Sequence, residues 1–304
     1  MLNYPTVIYM KQQLKGSIQL LAATVIWGTA FVAQSVGMDH IGPFTFQAVR
    51  SCIAVLALIA VIFLMEQGKQ DGKTFFSRWQ EPGLWKTGLL CGIALFVASA
   101  FQQVGLVYTD PGKAGFITAM YIVLVPVLGL FLGEKCGLNV WISVVLAVAG
   151  LYLLSAFGVS KVNIGDILLM GCAAGFAVQI LLVDRLGKNL DGLRLNLAQF
   201  LVNAVLSCCA MFLFEEPVWE QIVACAVPLL YTGVRSSAVA FSLQILAQQK
   251  LPPAPASLIM SLESVFAVLA GWLLLHQVLS ANELLGCALV FAGVLLSQWE
   301  PKTK

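Results

Sequence analysis

Apolar residues run for about twenty positions at a time along this chain, and short polar breaks separate the runs. Ten runs can be drawn, near 17–35, 43–65, 84–107, 112–132, 138–157, 165–185, 194–214, 221–248, 254–275 and 281–299. At about 1.5 Å per residue, a helix of that length covers the roughly 30 Å hydrocarbon core of a bilayer. Membrane strands alternate over about ten residues instead. The pattern therefore predicts an all-α integral membrane protein with ten transmembrane helices. The fourth and fifth runs are separated only by Glu134 to Gly137, which fits an antiparallel helix hairpin. The longest polar connection, Glu66 to Glu81, reads as a loop with a short interfacial helix near Phe75, Phe76 and Trp79.

The run from Pro252 to Gln277 is uncharged except for Glu263 near its middle, and it has a counterpart in the first half. A shift of 142 residues sets Pro111 on Pro253, Ala114 on Ala256, Tyr121 on Glu263, Gly129 on Gly271 and Gln102 on Gln244. The chain thus reads as a duplication: a first repeat over 16–157, a linker over 158–164 and a second repeat over 165–299. Five spans per repeat make the second copy enter the membrane from the other side, a 5+5 inverted repeat.

Composition agrees with a chain that faces hydrocarbon. Its 304 residues are 60% hydrophobic and 11% charged, against about 25% charged in soluble domains. A formal charge of +2 gives no reason to expect a nucleic-acid partner. Charge placement is more informative. If both ends lie on one side, that side holds thirteen Lys and Arg and the opposite loops only Lys113 and Lys161. The positive-inside rule then puts both termini in the cytoplasm of a cell-membrane protein. The first ten residues lack a basic start and a cleavage site, so the first run is expected to stay as a helix. The eight cysteines include no CxxC and have no histidine nearby, which fits small apolar fillers rather than a metal site. No nucleotide-binding loop, HExxH or GxSxG is present, so neither an enzyme nor a cofactor is expected.

A carboxylate at membrane depth faces a protein interior or a watery cavity. Glu263 is therefore either the binding point for a cationic group or a proton, or half of a structural ion pair. Arg235, central in the eighth run, is the matching partner candidate. Arg50 sits seven residues in from Pro43, where it either snorkels to the interface or meets an anionic group such as a carboxylate. Gln102 and Gln244 line a pore or tie helices together. Gln103, Gln179 and Gln199 are weaker members of that class, whereas Gln34, Gln248 and Gln249 lie near run ends and are expected to face water or headgroups. Trp27 and Tyr121 are candidate cavity walls, while Trp141, Trp219 and Trp299 suit the interface belt. Pro126 should kink the fourth helix, as a gate would use. Glycine faces, Gly129 with Gly133, Gly171 with Gly175, and Gly150 with Gly286 and Gly293, mark either the contact between halves or a homodimer face.

Together these residues resemble the EamA-like family of the drug/metabolite transporter superfamily. The likeness is carried by IWGTAF at Ile26 to Phe31, Pro43 with FQAVR ending at Arg50, and Gly133-Glu134. AVAGLYLLS from Ala147, Leu262-Glu263 before VFAVLAGWLLL, and ELLGCALVFAGVLL from Glu283 complete it. The resemblance implies a secondary transporter of small metabolites, often amino acids, commonly an exporter. It also implies alternating access around a cavity lined by the third, fourth, eighth and ninth helices. Three positions depart from the family's pattern: Ser264 where a proline is usual after Leu-Glu, His276-Gln277 where Gly-Glu is usual, and Arg235 where a small or apolar residue is usual. The expectation is a carrier for an amino acid or related zwitterion, with protons as candidate coupling ions. An uncoupled facilitator of a neutral solute and a membrane sensor or scaffold are the alternatives.

Overall fold

A computed structural model describes residues 4–67, 76–109, 111–154, 163–275 and 280–298. Phe75, most of the linker, His276, Gln277 and Trp299 lie outside them. We number the helical rods α1 (Tyr4–Met38), α2 (Pro43–Glu66) and α3 (Leu84–Tyr108), then α4a (Pro111–Thr118), α4b (Tyr121–Phe131) and α5 (Leu138–Leu154). The second half follows with α6 (Ile164–Leu186), α7 (Gly192–Phe214), α8 (Trp219 to Gln248, in four pieces), α9a (Pro253–Met260), α9b (Leu262–Leu275) and α10 (Ala281–Ser297). A short 3₁₀ turn, Phe76–Gln80, falls where the interfacial helix was expected. Among the described residues, eight helices are long and apolar enough to cross a membrane. The two others, α5 and α10, are apolar helices of 17 residues each among the described residues.

Helix starts follow from local chemistry. Asn163 and Asp166 form a capping box at α6, as Ser280 and Glu283 do at α10, and Asp191 accepts from the first amides of α7. Helix α2 has Gly42 at its N-cap and so no side-chain cap of its own. Glu215, at the end of α7, supplies one: its carboxylate accepts from Phe44 N (2.9 Å), Thr45 N (2.7 Å) and Thr45 Oγ1 (2.6 Å). A Cβ on Gly42 would stand 2.3 Å from that carboxyl carbon, so a larger residue there has to displace the Glu215 carboxylate from its capping position. Replacing Glu215 by Ala should cost about 0.5–2 kcal/mol, the range for losing an N-cap, read as a lower melting temperature in detergent. An unchanged melt would mean that water caps α2 equally well.

Packing pairs α5 with α10, α3 with α6, α2 with α7, α3 with α7 and α1 with α9b. Helix α8 lies against α1 and α2, and α4 lies against α6 and α9 in crossed order, α4b on α9a and α4a on α9b. Two of the glycine faces, Gly171 with Gly175 and Gly150 with Gly286 and Gly293, serve these contacts within the chain, whereas the atoms nearest a Cβ on Gly129 are those of Glu134 and a Cβ on Gly133 would meet nothing within 4 Å. A Cβ on Gly175 would meet Ala98 at 2.9 Å, and one on Gly150 would meet the Gly286 carbonyl at 2.6 Å.

Three rods are interrupted. Helix α4 breaks at Ala119–Met120, where a tightened turn bonds Ile122 N to Ala119 O and Val123 N to Met120 O. Pro126 sits farther on, inside α4b, so the break precedes the residue expected to cause it. Helix α9 breaks at Ser261, whose hydroxyl donates to Leu258 O at 2.7 Å. Serine hydroxyls that compete for the i−3 carbonyl favour such bends. The 142-residue shift sets one break on the other. Helix α8 carries a ten-residue π-helical stretch, Tyr231–Ala240, a form that recurs at functional sites.

Candidate functional site

The bundle holds a small, half-open cavity of about 50 Å³, lined from seven rods by Trp27, Phe31, Gln34, Arg50, Gln102, Tyr121, Phe176, Ile180, Ser236, Phe241, Gln244, Met260 and Glu263. A water needs roughly 10–15 Å³ measured in the same way, so the space holds a few waters or a small solute rather than a file of ions. Its apolar walls are set by edge-to-face packing of Trp27 on Phe241 at 5.1 Å and of Phe241 on Phe200 at 5.4 Å.

Two ionisable side chains, Glu263 and Arg50, lie in these walls. Glu263 is 7% exposed and accepts a hydrogen bond from Tyr121 Oη at 3.1 Å. These two residues are the pair equated by the repeat shift, each on the first turn after a helix break. Arg50 is 6% exposed; its Nη1 donates to Gln34 Oε1 at 2.9 Å, and its Nε has no partner. Helix α1 makes room for this arrangement at Gly28, where a Cβ would stand 2.7 Å from Glu263 O and 2.6 Å from Phe266 Cβ. Any larger residue there pushes α9b, and Glu263 with it, away from α1.

Six of the seven sequence candidates, Trp27, Arg50, Gln102, Tyr121, Gln244 and Glu263, line this space. Arg235 does not. It lies on the π-helical stretch with its side chain exposed, and among the described residues no ion pair joins it to Glu263. Sequence position gives the depth of a residue along a helix but not its azimuth, and the π-helical winding shifts the face further. Gln34 and Gln248, expected near water, are 4% and 0% exposed; Gln34 holds the Arg50 guanidinium. Phe31, Phe176, Ser236, Phe241 and Met260 also line the cavity, and no pattern of charge or polarity marks them in the sequence.

Outside the spans, Glu134 lies near Arg185 (3.9 Å). Burial, and then repulsion from Asp184, hold its carboxyl above the usual range, while Arg185 and Lys188 oppose them.

The sequence pattern described as the EamA-like transporter family matches twice, over residues 14–156 and 163–299. An uncharacterized transporter of Archaeoglobus fulgidus is 30% identical over 290 residues, covering 94% of this chain and 86% of that protein. The uncharacterized transporter YoaV of Bacillus subtilis is 25% identical over 93% of this chain and 96% of its own. The threonine/homoserine exporter RhtA of Escherichia coli K12 is 26% identical over 91% of this chain and 88% of its own. A solved crystal structure superposes with a TM-score of 0.77 at 18% identity, over 93% of this chain and 96% of that one, a likeness of fold.

Proposed function

This chain belongs to the EamA-like transporter family, and we propose that it is a secondary transporter of an amino acid or related zwitterion, working by alternating access and chiefly outward. The observation that carries this reading is that Arg50 and Glu263 are both nine-tenths buried in the wall of one small cavity. A guanidinium and a carboxylate suit the two ends of a zwitterion, and the amides of Gln102 and Gln244 suit its polar middle. The size of the cavity fits a solute of that class. The E. coli relative's description as a threonine/homoserine exporter points the same way.

We read the ten rods as spans in a 5+5 inverted repeat. Exchanging each helix with the one five places on carries the α3–α6 contact onto α8–α1, α1–α9 onto α6–α4 and α3–α7 onto α8–α2. The α2–α7, α4–α9 and α5–α10 contacts map onto themselves. The contact of Tyr121 with Glu263 sits where the relating axis would run. The excess of Lys and Arg assigns the end bearing the termini to the cytoplasm. Protons are the proposed coupling ions, taken up and released at Glu263.

The test is movement of labelled L-threonine, L-homoserine and a pool of other amino acids in proteoliposomes, with and without an imposed proton gradient. Saturable movement that accelerates with the gradient supports a coupled carrier. Saturable movement indifferent to the gradient identifies a facilitator, and no movement of any pooled amino acid overturns the substrate class.

A further inference from the structure

The orientation of one cavity amide is fixed by chains of hydrogen bonds that end on backbone carbonyls. Carbonyl oxygens only accept, so each side chain touching one must present its NH₂ group. Gln248 Nε2 donates to Ile180 O at 3.1 Å, which turns Gln248 Oε1 toward Gln244. That oxygen accepts from Gln244 Nε2 at 3.1 Å.

A second chain begins on the π-helical stretch of α8. Asn196 Nδ2 donates to Ala238 O at 3.1 Å and to Ser242 Oγ at 2.8 Å, so Asn196 Oδ1 faces Gln199. Gln199 Nε2 donates to that oxygen at 2.8 Å, and Gln179 Nε2 donates to Gln199 Oε1 at 3.2 Å. Gln179 Oε1 then accepts from Gln244 Nε2 at 3.1 Å. Reversing any one of these amides sets oxygen against oxygen. Both chains therefore converge on the same NH₂ group and use both of its hydrogens. Gln244 Oε1 is left buried with no partner, on a residue that lines the cavity and is 2% exposed. A buried acceptor in that condition is costly until something donates to it.

We propose that Gln244 selects solutes that bring an N–H or O–H donor to its oxygen, and that Gln179, Gln199 and Gln248 are positioning residues that forbid the amide from turning over. The inference rests on the cavity's being the transport site. It adds a rule of selection: at this wall the cavity reads donors and rejects acceptors. Arg50 Nε, unpartnered and unable to accept, enforces the opposite rule at its own position. A zwitterion satisfies both, whereas its 2-oxo analogue offers Gln244 only a second oxygen.

Two measurements decide it. The first needs no solute: hydrogen exchange of the Gln244 side-chain amide in ¹⁵N-glutamine-labelled protein, assigned by its loss in Q244L. Both protons should exchange at least about a hundredfold more slowly than those of an exposed glutamine, and Q179L or Q248L should each release one. Two freely exchanging protons in the wild type overturn the proposal. The second compares L-2-aminobutanoate with 2-oxobutanoate, which has no N–H or O–H donor, as competitors in the proteoliposome assay. The wild type should prefer the amine by about tenfold or more, and Q179L and Q248L should bring the ratio within about threefold. Losses that fall equally on both solutes would show the amides to be packing only, and would also overturn it. If L-2-aminobutanoate gives no signal in the wild type, the transport reading fails for this solute and donor selection fails with it. The exchange data then still report separately whether the amide is held.

Discussion

Glu263→Gln should abolish the response of transport to a proton gradient while leaving the protein folded. The substitution preserves volume and keeps an oxygen that can accept from Tyr121 Oη, so the 3.1 Å contact between α4b and α9b can persist. What is lost is the charge and the ability to take up and release a proton. A hydrogen bond to a charged group is worth about 1.5–3 kcal/mol, so affinity for a cationic substrate group should fall about 10- to 150-fold. Tyr121→Phe removes a neutral donor and leaves the carboxylate, and should weaken transport only about fivefold. Rates with and without the gradient check both. If Glu263→Gln moves substrate and follows the gradient as the wild type does, Glu263 is a structural acceptor for Tyr121, and coupling must be sought elsewhere.

The largest effect on stability should come from the end of the bundle away from the termini. Lys113 Nζ lies 2.7 Å from Asp166 Oδ2, with both side chains under 9% exposed. Asp166 also accepts from Thr109 Oγ1 at 3.2 Å and from Asn163 N at 3.0 Å, which ties α3, α4a and α6 together. Replacing Lys113 by Met leaves a buried carboxylate without its cation, a change that costs about 3–5 kcal/mol where it has been measured in other proteins. Lys113→Met with Asp166→Asn removes both charges and should recover a large part of the loss. Thermal unfolding in detergent gives both numbers. A double variant no better than the single one would show that the hydrogen bonds of Asp166, rather than its charge, hold the junction.

Lys113 also shows where the sequence reading stopped. The count of Lys and Arg placed it in a loop, because its partner is 53 residues away and position along the chain does not show it. Arg235 failed the other way: its central position suggested burial, but depth along a helix says nothing about which face a residue occupies. Gln34 and Gln248 were assigned to water because they lie near run ends, yet each meets a polar group from another helix. What is repeated between runs was legible, including the register setting Tyr121 on Glu263. That register rests on a period in the chain and needs no fold to be read. The apolar cavity lining, Phe31, Phe176 and Met260 among it, has the same composition as the rest of the core and gave no signal.

The seam between α5 and α10 has a mechanical consequence. Gly150 and Gly286 face each other so closely that a Cβ on either would lie 2.6–2.7 Å from the other's carbonyl oxygen, and Gly293 is as tightly set against Ser143 O. Two backbones meshed without intervening side chains resist sliding, because any axial shift drives carbonyl into carbonyl. Such a seam can still tilt, since rotation about a close crossing point changes few distances there. If the two halves exchange access by moving, α5 and α10 are then the fulcrum and the broken rods α4 and α9 the arms. Travel would be least at the glycines and greatest across the bundle, at the cavity wall that carries Arg50 and Glu263.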